Sequence, residues 1–299
     1  MHAPDGLIKM REISGRMRFT AIFGDPVEHS LSPAMHNAAY AALGIERAYL
    51  AFHVTPGRLH DAIHALPALE IAGVNLTVPH KENAVAMMTH LSKEALTLGA
   101  INCVVNRDGE LYGDNTDARG LELDLRGSGV ILDGRMVVIV GAGGAAASAV
   151  LACTRMGAGR ILLCNRTVER AIRLARRFTH SGQAPTGISI DGGGLDKLAE
   201  PAALSDIALM INATPMGLKT GGFAPIAYDA APADCVFYDM VYAREPTPFM
   251  VSALALGRHA LDGAGMLLNQ GALAFELFNN VAAPAAAMHA ALMSALGRA

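Results

Sequence analysis

The sequence predicts an α/β protein of two units. Three observations carry this. Apolar, β-branched runs alternate with helical stretches, the pattern of βα units and parallel sheets. The chain has 299 residues, room for about two domains. Hydrophobic residues make up 52% of it, with 31 glycines and 14 prolines, enough for a sizeable core and many turns.

In chain order, Arg18–Phe23 reads as a strand and Pro33–Leu43 as a helix. Ser32 is its expected N-cap, and Pro33 takes the first helical position, where a missing N–H costs nothing. Ala48–Val54 is a second strand, Gly57–Leu66 a helix and Gly73–Val78 a third strand. Helices are expected over Lys81–Thr89 and Ser92–Leu98. Ile101–Asn106 and Glu110–Gly113 read as short strands joined by the Arg107-Asp108-Gly109 turn. The second pattern follows a helix at Ala118–Arg126. Met136–Val140 is a strand, Gly143–Met156 a small-residue helix and Arg160–Cys164 the next strand. Val168–Phe178 is a helix whose outer face carries Arg170, Arg173, Arg176 and Arg177. Ile188–Ile190, Ile207–Ile211 and Cys235–Tyr238 are further strands, and Gly263–Ala299 holds two Ala- and Met-rich helices. The units are expected at 18–118 and 119–279, with the helix in 280–299 packing back on the first.

Composition excludes several classes. A formal net charge of -3 gives no basic field, so no nucleic acid is expected as partner. Residues before Arg18 carry mixed charge (Asp5, Lys9, Arg11, Glu12, Arg16) and no apolar leader. They read as an extension ahead of the first element. Met136–Thr154 is uncharged and about as long as a membrane span. Gly141, Gly143 and Gly144 after a β-branched run make it a strand, turn and helix instead, so no membrane is expected. Cys103, Cys153, Cys164 and Cys235 form no C-x-x-C pair and read as buried thiols of a reduced cytoplasmic protein. His60 and His64 are four apart on a helix, but no third ligand falls in a recognisable pattern, so no metal is expected.

The second unit carries a cofactor signature. Gly141-Ala142-Gly143-Gly144-Ala145-Ala146 fits G-x-G-x-x-A between a strand and a helix. Gly141 permits the tight turn, Gly143 lets the backbone approach a pyrophosphate, and Ala146 lets helix and strand pack closely. The helix N-terminus, at Gly144 and Ala145, offers free N–H groups to the anion. A ribose 2′-hydroxyl calls for an acid near the end of the next strand. That end reads Asn165-Arg166-Thr167 with Arg170 following, and has no acid. Two guanidinium groups with a hydroxyl and an amide suit a 2′-phosphate, which points to NADP. The fold class is therefore an N-terminal α/β substrate domain plus a C-terminal Rossmann-type NADP-binding domain.

The first unit carries polar clusters, most of them at the ends of apolar strands, where open α/β sheets present ligands. They are Gly24–Pro33, Asn75–Lys81, Gly99–Cys103 and Gly113–Asp117. Their hydroxyls, amides, lysine and carboxylates suit a small polyhydroxylated substrate. These motifs, H-S-L-S-P, N-L-T-V-P-H-K and G-D-N-T-D, occur in order with G-A-G-G-A and N-R-T-x-x-R. Asn212–Pro215, Tyr238–Tyr242 and Asp262–Met266 follow. Together they resemble the shikimate dehydrogenase family, including its shikimate/quinate branch, over nearly the whole chain after about Arg18.

The resemblance implies NADP-dependent, reversible reduction of 3-dehydroshikimate to shikimate, a step toward chorismate and the aromatic amino acids. By position, Ser30 and Ser32 would hold the substrate carboxylate. Thr77, Asn102 and Asp117 would hold ring hydroxyls, and Lys81 would transfer the proton with Asp117 beside it. Tyr242 and Gln270 would line the pocket. Thr214, Met240 and Gly263 would join the cofactor site, with Gly265 and Met266 on its nicotinamide side. The chain would act as a monomer or homodimer. Three residues depart from the family pattern. Cys103 stands where a hydroxyl residue is usual, Ala118 replaces a glycine, and Ala264 replaces a bulkier apolar residue. The first leaves quinate or another cyclic hydroxy acid as the alternative substrate. A non-catalytic NADP-binding protein would be expected to lack Lys81 or Asp117, and both are present.

Overall fold

The computed structural model describes residues 14–180, 187–216 and 223–298. Of the expected N-terminal extension, Asp5, Lys9, Arg11 and Glu12 lie outside the described residues. So does Ala299, the last residue of the expected C-terminal helices.

Six strands form the first sheet: β1 (Arg18–Gly24), β2 (Arg47–His53), β3 (Gly73–Leu76), β4 (His90–Leu91), β5 (Cys103–Arg107) and β6 (Glu110–Asp114). Their order is β2-β1-β3-β5-β6-β4. β1 lies parallel to both β2 and β3, while β5 and β6 continue as an antiparallel hairpin. The helices of this part are α1 (Ser32–Leu43), α2 (Leu59–Ala68) and α3 (Lys93–Leu98). The chain leaves β1 toward β2 on one side and returns to β3 on the other. Connections that diverge in this way open a crevice at the carboxyl ends of β1 and β3.

α4 (Asp117–Gly127) leads to the second sheet, built from β7 (Met136–Val140), β8 (Arg160–Cys164), β9 (Ser189–Gly193), β10 (Ile207–Asn212), β11 (Val236–Asp239) and β12 (His259–Asp262). All its pairings are parallel, in the order β12-β11-β10-β7-β8-β9. Central β7 is Met-Val-Val-Ile-Val, continuously apolar and buried apart from its first residue, as a strand covered on both faces requires. The helices are α5 (Gly144–Arg155), α6 (Val168–His180), α7 (Pro201–Leu204), α8 (Pro248–Ala255), α9 (Ala264–Asn279) and α10 (Ala285–Ala295). Here the connections diverge between β7 and β10, which puts the Gly141 turn at the mouth of the second crevice.

One hydrophobic cluster joins Ile22, Met35, Tyr40 and Tyr49 of the first sheet and α1 to Phe275 and Phe278 of α9 and Met288 and Leu292 of α10. α9 therefore begins at the edge of the second sheet and ends in the core of the first. Among the described residues, no helix is long and apolar enough to cross a membrane.

Three local expectations change. The stretch Lys81–Thr89 is not an α-helix. It is a run of turns with one 3-10 turn at Val85–Met87, followed by β4. The Lys81 carbonyl, which a helix would bond to the N–H four residues on, instead accepts from Ile101 N at 2.8 Å. Ser32 does not cap α1. It is the first helical residue, Leu31 precedes it, and no side chain caps the helix. α8 and β12 have no counterpart in the sequence reading. β12 is His-Ala-Leu-Asp, short and without β-branching, so neither period nor composition marks it.

Candidate active site

A cavity of about 350 Å³ opens where the two crevices face each other. The first unit contributes Ser30 and Ser32 around the start of α1, Thr77 and Lys81 after β3, Asn102 before β5, and Asp117 at the start of α4. The second contributes Met240 and Tyr242 after β11, Gly263 after β12, Met266 and Gln270 from α9, and Ala145 from α5. Burial pushes the Tyr242 phenol up, so it stays protonated.

The segment after β3 aims its lysine by burying its neighbour. His80 is fully buried, with Nε2 2.6 Å from the Val54 carbonyl. Lys81 then faces the cavity, and Nζ donates to Asp117 Oδ2 at 2.6 Å. Asp117 Oδ1 accepts from Asn102 Nδ2 at 2.7 Å. Asn102 is held in turn by the Thr116 N–H, which donates to its Oδ1 at 2.8 Å. Both oxygens of the carboxylate thus meet donors, which fixes its plane. The lysine side chain is 27% exposed and the aspartate 9%, so the lysine keeps more contact with solvent than its partner. Gly120 lets α9 close over this group: a Cβ there would stand 2.8 Å from Gln270 N.

Asn75, His29 and Leu267 also line the cavity, and the sequence reading did not assign them. Asn75 had a signal. Side chains two apart on a strand share a face, and Asn75 precedes Thr77 by two.

The expected cofactor residues lie along the carboxyl ends of the second sheet. Gly141 ends β7 with φ 124°, a conformation few side chains tolerate. A Cβ there would also come within 3.0 Å of Thr214 Cγ2. Gly143 and Gly144 face open space at the start of α5: a Cβ on either would meet nothing within 4 Å. That is room for a pyrophosphate against the helix N-terminus. At the end of β8, Asn165 Nδ2 donates to the Thr167 carbonyl at 2.9 Å. Arg166, Thr167 and Arg170 are exposed. Two guanidinium groups, with no Asp or Glu among residues 160–167, fit a 2′-phosphate.

Some expected residues sit elsewhere. Gly265 has a packing duty besides its expected place on the nicotinamide side. It packs α9 on α4, where a Cβ would stand 1.9 Å from Asp124 Oδ1. Asp124 Oδ2 accepts from the Tyr238 hydroxyl at 2.6 Å, and burial raises its carboxyl. Arg177, expected on the outer face of α6, reaches across to the first unit and donates to the carbonyls of Thr97 and Leu98. Cys103 is fully buried in the first core and touches no part of the cavity. The other three thiols are also buried. His60 and His64 stack ring on ring at 4.0 Å, with His64 Nδ1 on the His60 carbonyl. Among the described residues, no three His, Cys, Asp or Glu side chains stand close enough to share a metal ion.

An open glycine turn at a parallel-sheet switch point, guanidinium groups just past the next strand, and an ammonium–carboxylate pair on a facing α/β unit define a two-domain, dinucleotide-dependent oxidoreductase. The shikimate dehydrogenase substrate-binding domain model matches residues 22–104. The shikimate/quinate 5-dehydrogenase model matches 127–192, and the shikimate 5'-dehydrogenase C-terminal domain model 263–293. A shikimate dehydrogenase (NADP(+)) of Geobacter sp. (strain M21) is 39% identical over 95% of this chain and 97% of its own. Among solved structures, a shikimate dehydrogenase in complex with NADP+ is 31% identical with a TM-score of 0.87, covering 95% of this chain and 98% of that one. The Thermus thermophilus shikimate 5-dehydrogenase, in complex with NADP(H) and shikimate, is 35% identical with a TM-score of 0.81, over 94% and 100%. The chain belongs to the shikimate dehydrogenase family.

Proposed function

We propose that this chain catalyses the reversible, NADP-dependent reduction of 3-dehydroshikimate to shikimate, in the pathway to chorismate and the aromatic amino acids. The observation that carries the reading is the Lys81–Asp117 pair in a cavity shared by a substrate unit and a cofactor unit. We take the substrate unit as 18–118 with the C-terminal helix packed on it, and the cofactor unit as 119–279. The enzyme works in the cytoplasm as a monomer or homodimer, on small molecules alone.

NADPH, when bound, supplies the hydride; the Gly141–Ala145 turn would hold its pyrophosphate and Arg166, Thr167 and Arg170 its 2′-phosphate. Asn165, Thr214, Met240, Gly263, Gly265 and Met266 complete that site. Ser30 and Ser32 donate hydroxyls to the substrate carboxylate. Thr77, Asn102, Asp117 and Gln270 orient the ring hydroxyls, and Tyr242 closes the pocket. As the ketone gains a hydride its oxygen becomes an alkoxide. The Lys81 ammonium stabilises that charge and passes it a proton; in the oxidation direction the neutral amine takes the proton back. Asp117 holds Nζ in place, and Asn102 holds Asp117. The partial exposure of Lys81 gives it a route to regain its proton from water.

An initial-rate matrix of shikimate and quinate against NADP and NAD tests the reading. The highest kcat/KM is expected for shikimate with NADP. A preference for quinate would reassign the substrate, and no turnover on either would overturn the proposal.

A further inference from the structure

Tyr49 lies on β2, 1% exposed and outside the cavity. Register places it opposite Thr20 on β1, and Thr20 opposite Gly73 on β3. Its side chain spans the middle strand, and its hydroxyl donates to Asn75 Oδ1 on β3 at 2.7 Å. Asn75 Nδ2 donates to the Asn102 carbonyl at 3.0 Å. A carbonyl only accepts, so the amide nitrogen of Asn75 must face Asn102 and its oxygen must face a donor. Tyr49 is that donor. The remaining N–H of Asn75 is then free for the cavity that Asn75 lines.

The phenol is itself locked. Asn37 clamps the Tyr49 backbone, its Nδ2 donating to the carbonyl and its Oδ1 accepting from the N–H, both at 2.9 Å. The ring stacks on His36 at 4.1 Å and 16°. His36 is fully buried with neither nitrogen partnered, so it serves as an aromatic plane rather than a polar group.

We propose that Tyr49 is a positioning residue for substrate recognition. It fixes the Asn75 amide so that a donor, not an acceptor, meets a hydroxyl oxygen on the substrate's ring. This rests on the cavity being the shikimate site.

Tyr49→Phe keeps the ring and the stack and removes only the hydroxyl. The KM for shikimate should rise about tenfold, the worth of one well-placed hydrogen bond. The kcat should change less than about twofold, and the KM for NADP should not move, because neither the lysine nor the cofactor turn is touched. Asn75→Ala should raise the shikimate KM by itself. Adding Tyr49→Phe to Asn75→Ala should then add little, because the phenol acts through the amide rather than through Ser32, its other hydrogen-bonding neighbour. An unchanged KM in Tyr49→Phe with only a lower thermal midpoint would overturn the proposal. So would an equal rise in the native and Asn75→Ala backgrounds. Native enzyme is assayed alongside; if it fails to oxidise shikimate, the reading of the cavity is at fault, not the role of Tyr49.

Discussion

The Lys81 ammonium meets the Asp117 carboxylate at 2.6 Å across 36 residues of chain. One partner comes from a run of turns after β3 and the other from the first turn of α4. Lys81→Ala removes the proposed proton donor but leaves Ser30, Ser32, Thr77 and Asn102 in place. Turnover should fall by about 10²–10⁴, with the shikimate KM nearly unchanged. Steady-state kinetics at neutral pH check this; retained turnover would remove Lys81 from the chemistry.

Asp117 is proposed to hold a ring hydroxyl as well as Nζ, so its loss should read differently. Asp117→Asn keeps the shape but weakens the hold on Nζ and on a ring hydroxyl. Both kcat and KM for shikimate should worsen. A change confined to the KM for NADP would contradict the placement of Asp117.

Arg166 stands exposed just past β8, and residues 162–167 contain no acid. A charge-assisted bond to a phosphate is worth about 1.5–3 kcal/mol, so Arg166→Ala should raise the KM for NADP roughly 10–100-fold. NAD has no 2′-phosphate, and its KM should change by less than about threefold. Equal losses for both cofactors would place Arg166 elsewhere.

His36 gives the fold a dependence on acid. Burial pushes its imidazole down to about 3 from 6.5. Between those values the unfolded chain takes up a proton that the folded chain refuses. Stability should therefore fall as pH drops from about 6.5 toward 3, by at most about 1.4 kcal/mol per unit from this residue. Urea unfolding at pH 7, 6 and 5 reads the slope. His36→Phe should flatten it, and carboxylates common to both proteins cancel in the comparison. Identical slopes would refute the assignment.

Gly265 is held to glycine by Asp124. A methyl there meets a carboxylate whose other oxygen is tied to Tyr238. Gly265→Ala should cost about 1–3 kcal/mol in denaturant unfolding, as overpacking does. Tyr238→Phe frees the carboxylate to move and should reduce that cost. A neutral Gly265→Ala would mean that α4 and α9 separate easily.

Features that depend on near neighbours were legible in the order of residues alone. β7, the Gly141 turn and α5 follow one another within a single strand–turn–helix, and the missing acid at Asn165–Thr167 needs only its own strand to be read. The residue types for hydride and proton chemistry were legible too, in motifs a few residues long. Tertiary structure decided which of them meet. Lys81 left its expected helix because Ile101 claimed its carbonyl. Gly265 turned out to serve helix packing, and Asn75 joined the cavity under the control of Tyr49, on a different strand. These outcomes depend on strand order and register. Packing of the whole chain sets both, and no short window of sequence contains them.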